Sequence, residues 1–177
     1  SQTTVFQSSL NKLRRSWLRL ALTWLLIWLI GYWLLLPSWL YAERWLLLSG
    51  LLLGYGLWIL RRNLALNHRP GESSLYATIG WGNTLSMLRG LIIGLLSGFL
   101  FSPIPPAPLA WLIALLYTVG SIADWLDGYV ARKTNQVSVL GQRLDMEFDG
   151  LGVAVVSILA IGYGQLPLWF LSVALAR

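Results

Sequence analysis

The chain has 177 residues, of which 56% are hydrophobic and only 11% charged, and it contains no cysteine. This balance lies far from that of soluble domains, and the absence of cysteine excludes disulfides, zinc thiolate sites and cysteine nucleophiles. The formal net charge is +6, but the basic residues flank long apolar runs. The charge therefore indicates orientation in a membrane, and we expect membrane lipids and no nucleic acid as partners.

Two apolar runs near the N-terminus are long enough to cross the hydrocarbon layer as helices. The first predicted span runs from about Trp17 to Leu36 and the second from about Trp45 to Leu60. By the positive-inside tendency, both outer ends of this helical hairpin face the cytoplasm. The basic residues that flank these ends are Lys12, Arg14, Arg15, Arg19, Arg61, Arg62 and Arg69.

The remaining chain predicts a second unit of membrane helices. We divide the sequence into the hairpin, residues 1–69, a polar linker, residues 70–82, and a core, residues 83–177. A sixth span that opens at Pro167 has only about ten residues before the last position, which is too few to cross. The predicted fold class is thus an all-α integral membrane protein with about six transmembrane helices, the last truncated. The core spans are residues 83–101, 109–130 and 141–163.

The acidic residues are concentrated in the core. Five of the seven lie between Asp124 and Asp149, and four of those lie on predicted apolar helices. An ionisable group at such depth is costly and is by default a functional hypothesis. Because Asp124 and Asp127 are three residues apart, one helix face presents two carboxylates beside the small residues Gly128 and Ala131.

A second acidic stripe is predicted on the following helix. Gly141, Asp145 and Asp149 recur at intervals of four residues, so they share one face. The two stripes meet at the cytoplasmic boundary of the membrane, where four carboxylates would repel one another unless cations lay between them. Coordination by oxygen alone suits Mg²⁺ or Mn²⁺.

The acidic residues also allow two hypotheses without catalysis. The aspartates could form salt bridges at helix ends with Arg132, Lys133 and Arg143, or they could belong to an intramembrane cation transporter. Neither hypothesis accounts for the small residues or for the fixed spacing of the two stripes.

The complete pattern resembles the signature of the CDP-alcohol phosphotransferase family. In that signature, D-x-x-D-G-x-x-A-R is followed at a fixed distance by G-x-x-x-D-x-x-x-D. A shorter stretch upstream, from Asn83 to Arg89, is similar to the opening of the first core helix of the family, with Gly82 in place of a proline and Ser86 in place of a threonine. The signature positions are filled by Asp124, Asp127, Gly128, Ala131, Arg132, Gly141, Asp145 and Asp149.

The resemblance implies a role for each matching residue. It implies that Asp124, Asp127 and Asp145 hold two divalent ions, Mg²⁺ or Mn²⁺. It implies that Asp149 is the general base and shares in the second metal site. The residues implied to contact or admit the nucleotide are Gly128, Ala131, Arg132, Ser138, Gly141, Asn83, Ser86 and Arg89.

The resemblance also implies an activity. Members transfer a substituted phosphate from a CDP-alcohol, such as CDP-diacylglycerol, to an acceptor alcohol, with release of CMP, in phospholipid biosynthesis. We expect the site to face the cytoplasm of a bacterial-type membrane. The family core normally has six membrane helices, so the chain is interpreted either as a fragment or as a subunit completed by a homodimer or a partner chain. The alternative function is a catalytically silent membrane scaffold that keeps the metal site.

Overall fold

The computed structural model describes residues 2–176, which form helices joined by turns and loops. Extended pairing in this described part is limited to one bridge, between His68 and Leu75. The prediction of an all-α fold is therefore confirmed. The helices are α1 (Gln2–Leu35), α2 (Ala42–Asn63), α3 (Trp81–Ser97), α4 (Ala107–Lys133), α5 (Val139–Gly162) and α6 (Phe170–Leu175), with a 3₁₀ turn at Leu64–Leu66 after α2.

Three helical segments of the described chain are long and apolar enough to cross a membrane: Thr4–Leu35, Ala42–Leu66 and Ala107–Lys133. They correspond to the first, second and fourth predicted spans. Helix α3 has 17 residues, or about 26 Å at 1.5 Å per residue, slightly less than the hydrocarbon thickness of about 30 Å. The predicted membrane character is confirmed, whereas the number of six crossings stays a prediction.

Helix α1 begins at Gln2, well before the predicted start at Trp17. Its polar first half carries Leu10, Leu13 and Trp17 on one face, and all three pack in or against the hydrophobic core. Leu13 is fully buried. The helix therefore continues beyond the apolar run because this face has a partner to pack against.

Helix α3 is the central element and contacts α2, α4 and α5. The side chains from Arg89 to Ser97 are all buried. Two glycines allow neighbouring helices to approach closely. A Cβ at Gly90 would lie 2.5 Å from the ring of Phe148 on α5, and one at Gly82 would lie 2.8 Å from the Cβ of Ala131 on α4. Helix α4 is thus held against the first turn of α3, and α5 against its middle.

The N-terminal hairpin packs directly on the core helices. The indole Nε1 of Trp45 donates a hydrogen bond to the carbonyl oxygen of Leu95 on α3, at 3.1 Å. The ring of Trp24 lies beside Gly56 of α2 and contributes to one continuous hydrophobic core with α3 and α5. The division into a hairpin, a linker and a core remains a prediction about domains, since the hairpin and the core share this interior.

Candidate active site

Three of the four aspartates converge where α3, α4 and α5 meet. One carboxylate oxygen each from Asp124, Asp127 and Asp145 lies within 4.8 Å of the others. The side chains of Asp124 and Asp145 are 47% and 51% exposed, so a ligand can reach them. Oxygen donors at this separation fit a divalent cation such as Mg²⁺ or Mn²⁺.

The third member of the cluster is buried and held in place. Asp127 is 8% exposed, and its Oδ2 accepts a hydrogen bond of 2.8 Å from the hydroxyl of Ser86 on α3. This bond uses one carboxylate oxygen and leaves the other for a second partner. Ser86 therefore orients a candidate metal ligand.

Arg89 connects the two acidic stripes. Its Nη2 donates to Oδ1 of Asp145 at 2.9 Å and to the carbonyl oxygen of the same residue at 3.1 Å. Its Nη1 pairs with Asp124 and lies 3.3 Å from Oδ1 of Asp149. The arginine side chain is only 6% exposed, so its charge is buried among carboxylates.

Asp149 lies outside the group of three carboxylates. Its side chain is 65% exposed, and Arg89 links it to the cluster. Asp149 is thus the most exposed of the four aspartates, and it shares the guanidinium of Arg89 with Asp124.

The salt bridges considered from the sequence alone differ from the observed ones. Arg143 pairs with Glu147 at 2.8 Å, and Lys133 lies over the ring of Tyr129. Among residues 2–176, the ion pairs of the aspartates involve Arg89 and not Arg132, Lys133 or Arg143. The cation that balances the aspartates comes from α3, which is distant in sequence.

A polar pocket of about 350 Å³ lies beside the cluster. Asp127 and Asp145 line it, together with most of the residues assigned to the nucleotide. Gly141 lets α5 pack closely against Asn83 at the wall of this pocket, because a Cβ there would lie 2.5 Å from Oδ1 of Asn83. The assigned residues that line it are Asn83, Ser86, Gly128, Ala131, Arg132, Ser138 and Gly141.

A larger, mostly apolar cavity of about 560 Å³ lies between α3, α4, α5 and α6. Asp124 and Asp149 line this cavity, and so does Arg89, which is absent from the lining of the polar pocket. The two cavities share no lining residue, so the acidic cluster is divided between them. Apolar residues of the larger cavity include Ile92, Ile93, Leu96, Val153, Val156 and Phe170.

Sequence reasoning missed one buried polar residue next to the polar pocket. Asn67 is fully buried, and its side-chain oxygen accepts a hydrogen bond of 3.1 Å from Asn83. It follows α2 in a segment without helical periodicity, so no sequence pattern predicts its burial.

The position of Arg89 predicts a stability that depends on metal. In the presence of a chelator, we expect Arg89→Gln to leave the negative charges of the carboxylates without a positive partner. Loss of the charge partner should lower the free energy of unfolding by about 3 kcal/mol, because the carboxylates stay partly exposed. For a chain of this size, this corresponds to a fall in Tm of about 6–12 °C. Excess Mg²⁺ should restore most of this loss, as measured by thermal unfolding in detergent.

The control for this experiment is Arg143→Gln, which removes an exposed pair on α5. Its Tm should change by less than about 2 °C in either condition, because exposed pairs contribute little. An equal loss for Arg89→Gln with and without Mg²⁺ would contradict the charge-balancing role and indicate packing instead.

Comparison with known proteins places this site in a family. The sequence profile described as CDP-alcohol phosphatidyltransferase matches residues 81–177. The match begins at the first residue of α3 and contains all four aspartates. Helices α1 and α2 and the segment before α3 lie outside it. No solved structure matches the chain.

Curated bacterial proteins resemble part of the chain. A CDP-diacylglycerol–glycerol-3-phosphate 3-phosphatidyltransferase of Bacillus subtilis is 39% identical over 74 residues, which cover 42% of this chain and 37% of the relative. The corresponding Escherichia coli protein is 32% identical over 75 residues, covering 42% and 40%. A putative cardiolipin synthase of Mycobacterium tuberculosis is 35% identical over 95 residues, covering 54% and 44%. The chain spans less than half the length of these relatives.

Proposed function

Because the chain belongs to the CDP-alcohol phosphatidyltransferase family, we propose that it transfers a substituted phosphate group from a CDP-alcohol to an acceptor alcohol. In this reaction the acceptor oxygen forms a bond to the phosphorus that carries the donor alcohol. The bond between that phosphorus and CMP breaks, and CMP leaves with the electron pair. The acceptor proton passes to a base.

The observation that carries this proposal is the division of the acidic cluster between two cavities, the smaller lined mainly by polar side chains and glycines and the larger mainly by apolar side chains. Asp127 and Asp145 face the polar pocket, and Asp124 and Asp149 face the apolar cavity. A CDP-alcohol with acyl chains has a polar nucleotide and an apolar tail joined at a pyrophosphate. Its two parts match the two cavities, and the pyrophosphate would then lie at the aspartates.

The polar pocket supplies groups suited to a nucleotide. Arg132 offers a positive charge for a phosphate, and the hydroxyl of Ser138 offers a donor and an acceptor. Gly141 lets Asn83 and Ser138 approach α5 closely, and Gly128 leaves room for the guanidinium of Arg132. These residues would bind and orient the CDP part.

Asp124, Asp127 and Asp145 are the residues that would hold divalent metal ions. Bound there, such ions supply charge stabilisation for the phosphates and for the departing CMP. Ser86 orients Asp127 through the hydrogen bond of 2.8 Å. Arg89 contacts two of these carboxylates, those of Asp124 and Asp145, so it would compete with a metal ion or move toward a phosphate when one binds.

Asp149 is proposed as the general base. An alcohol is a weak nucleophile until its proton is accepted. The carboxylate of Asp149 is the most exposed of the three that Arg89 contacts, and it lines the apolar cavity. It would accept the proton of an acceptor alcohol that approaches from that cavity or its mouth.

The apolar cavity supports a lipid donor. A cavity of about 560 Å³ with aliphatic walls would bury part of an acyl chain, and each buried methylene contributes about 0.8 kcal/mol. The Bacillus subtilis and Escherichia coli relatives are named for CDP-diacylglycerol. We therefore propose CDP-diacylglycerol as the donor and a small polar alcohol as the acceptor, in phospholipid biosynthesis.

We test the proposal by titrating CDP into the purified chain by calorimetry. Binding should occur with Mg²⁺ or Mn²⁺, disappear with chelator, and return when the metal is restored. CMP release should be faster from CDP-diacylglycerol than from CDP-choline when a panel of acceptor alcohols is present. Metal-independent CDP binding and turnover would refute the metal-dependent reaction.

A second candidate is the catalytically silent scaffold. The contacts of Arg89 with three aspartates favour it, because they hold the proposed base and two proposed metal ligands in ion pairs. The CMP-release assay separates the two candidates. A scaffold that keeps the metal site would bind metal but would release no CMP.

The site is proposed to face the cytoplasm. The start of α1 and the end of α2 are basic, and Arg61 lies 4.9 Å from the ring of Trp17 at this end of the bundle. Since the chain has no cysteine, single cysteines can report the orientation. Cysteines that replace Ser8 or Asn135 should be labelled from the cytoplasmic side, and a cysteine that replaces Ala107 should be labelled from the outside. The reverse pattern would invert the topology.

A further inference from the structure

A buried asparagine outside the family match is connected by hydrogen bonds to the polar pocket. Asn67 lies in the segment of residues 64–80, between α2 and α3, and it is 0% exposed. A buried amide is costly unless its donors and its acceptor are used. The partners of Asn67 therefore indicate what this segment is held against.

The amide donors of Asn67 fold the segment back toward the start of α3. Its Nδ2 donates to the carbonyl oxygen of Thr78 at 2.7 Å and to that of Tyr76 at 3.4 Å. Its own carbonyl oxygen accepts from the backbone N–H of Tyr76 at 2.8 Å. These bonds close a loop and leave the side-chain oxygen for another partner.

That partner is Asn83, near the start of α3. The Nδ2 of Asn83 lies within hydrogen-bond distance of Oδ1 of Asn67 at 3.1 Å, the hydroxyl of Ser138 at 3.0 Å and the carbonyl oxygen of Ile79 at 2.7 Å. The hydroxyl of Ser138 caps α5 and accepts from the N–H of Gly141 at 3.0 Å. Asn83, Ser138 and Gly141 line the polar pocket, whereas Asn67 does not. Three side chains thus form a path from the segment to the pocket.

Two further contacts attach the same segment to the loop between α4 and α5. The carbonyl oxygen of His68 accepts from the N–H of Val139 at 3.0 Å. The guanidinium of Arg69 donates to the side-chain oxygen of Asn135. Ser138 therefore lies between two points at which the segment is anchored.

From these contacts we infer that Asn67 is a positioning residue for nucleotide binding. It fixes the amide of Asn83, which in turn fixes the hydroxyl of Ser138 at the wall of the pocket. This inference rests on the proposed function, because it takes the polar pocket as the site of the CDP part. It makes the segment before α3 a part of substrate recognition.

The test uses the full chain in detergent and titrates CDP in the presence of Mg²⁺. Asn67→Ala should raise the Kd for CDP about tenfold, since it removes the acceptor of a buried hydrogen bond. The KM for the CDP-alcohol should rise similarly while kcat changes less than about twofold. The matched control is Asn63→Ala, whose amide bonds only to Ile59 within α2 among the described contacts, and which should leave Kd nearly unchanged.

A double-mutant cycle distinguishes positioning from a general structural effect. In the Ser138→Ala background, Asn67→Ala should raise the Kd for CDP by less than about twofold, because its route to the pocket is already broken. A tenfold rise in both backgrounds, or an unchanged Kd in the single variant, would overturn the inference.

If Asn67→Ala fails to fold, amide hydrogen exchange measured on the unsubstituted chain tests the same inference. Addition of CDP with Mg²⁺ should slow exchange severalfold at the amides of Tyr76 and Val139 as well as at Gly141. Slowing at Gly141 alone would overturn the role of Asn67 and leave the proposed function intact. Unsubstituted protein that binds no CDP would instead refute the proposed function, and the inference with it.

Discussion

Asp124→Asn should abolish Mg²⁺-dependent CDP binding and CMP release together. Asp124 contributes to the group of three carboxylates and also pairs with Arg89. Its replacement removes one negative charge from the proposed metal site while nearly keeping the side-chain shape. Loss of partners that only orient metal ligands already costs about 10–100-fold in metal affinity or activity, so loss of a ligand should exceed 100-fold. Calorimetric titration of CDP with Mg²⁺, beside a CMP-release assay, measures both effects.

Glu147→Gln is the matched control for this substitution. Glu147 is an acidic residue of α5 that pairs with Arg143 and accepts from Tyr55, away from both cavities. Its neutralisation removes the same charge but should leave CDP binding within about twofold, because an exposed pair of this kind contributes little. Retention of CDP affinity by Asp124→Asn would contradict its assignment as a metal ligand.

Asp149→Asn should separate turnover from binding. Because Asp149 lies outside the group of three carboxylates, its replacement leaves that group complete. An amide cannot accept the proton of the acceptor alcohol, and a general base typically contributes about 10²–10⁴-fold in rate. We expect kcat to fall by that factor while the Kd for CDP rises only modestly, as measured by the same two assays.

Two outcomes would contradict the assignment of Asp149 as the base. Near-normal CMP release would show that another group accepts the proton. A loss of CDP binding as complete as that of Asp124→Asn would make Asp149 an essential metal ligand. Comparison of the two aspartate variants under identical Mg²⁺ concentrations therefore decides between the roles.

The convergence of the acidic residues could be predicted from spacing alone. Residues three or four apart lie on one helix face, so Asp124 and Asp127 form one stripe, and Asp145 and Asp149 form the other. The structure brings Asp145 to the first stripe. Spacing could not predict that Asp149 is the most exposed of the four and joins the others through Arg89, because this depends on how α5 is rotated against α3 and α4.

The counter-charge could not be predicted in the same way. Sequence reasoning considered Arg132, Lys133 and Arg143 as partners because they are near the aspartates in the chain. Arg89 is the observed partner, since α3 packs between the two acidic helices. Contacts between distant segments are set by tertiary packing, which a periodic pattern of one helix does not contain.

The start of α1 illustrates a related limit. The apolar run predicts a span that begins at about Trp17, but the helix begins at Gln2. Leu10 and Leu13 are isolated apolar residues in a polar stretch, and their packing depends on the elements that they meet. Hydropathy therefore detected the continuous apolar part of the helix and not its polar first half.

Under the proposed function, the two products of the transfer would lie in different cavities, because the polar pocket and the apolar cavity share no lining residue. CMP would occupy the polar pocket and the new lipid the apolar cavity, and the two would be adjacent only at the aspartates. Accumulated CMP would then slow the reaction by occupying the polar pocket. Accumulated lipid product would slow it by occupying the apolar cavity.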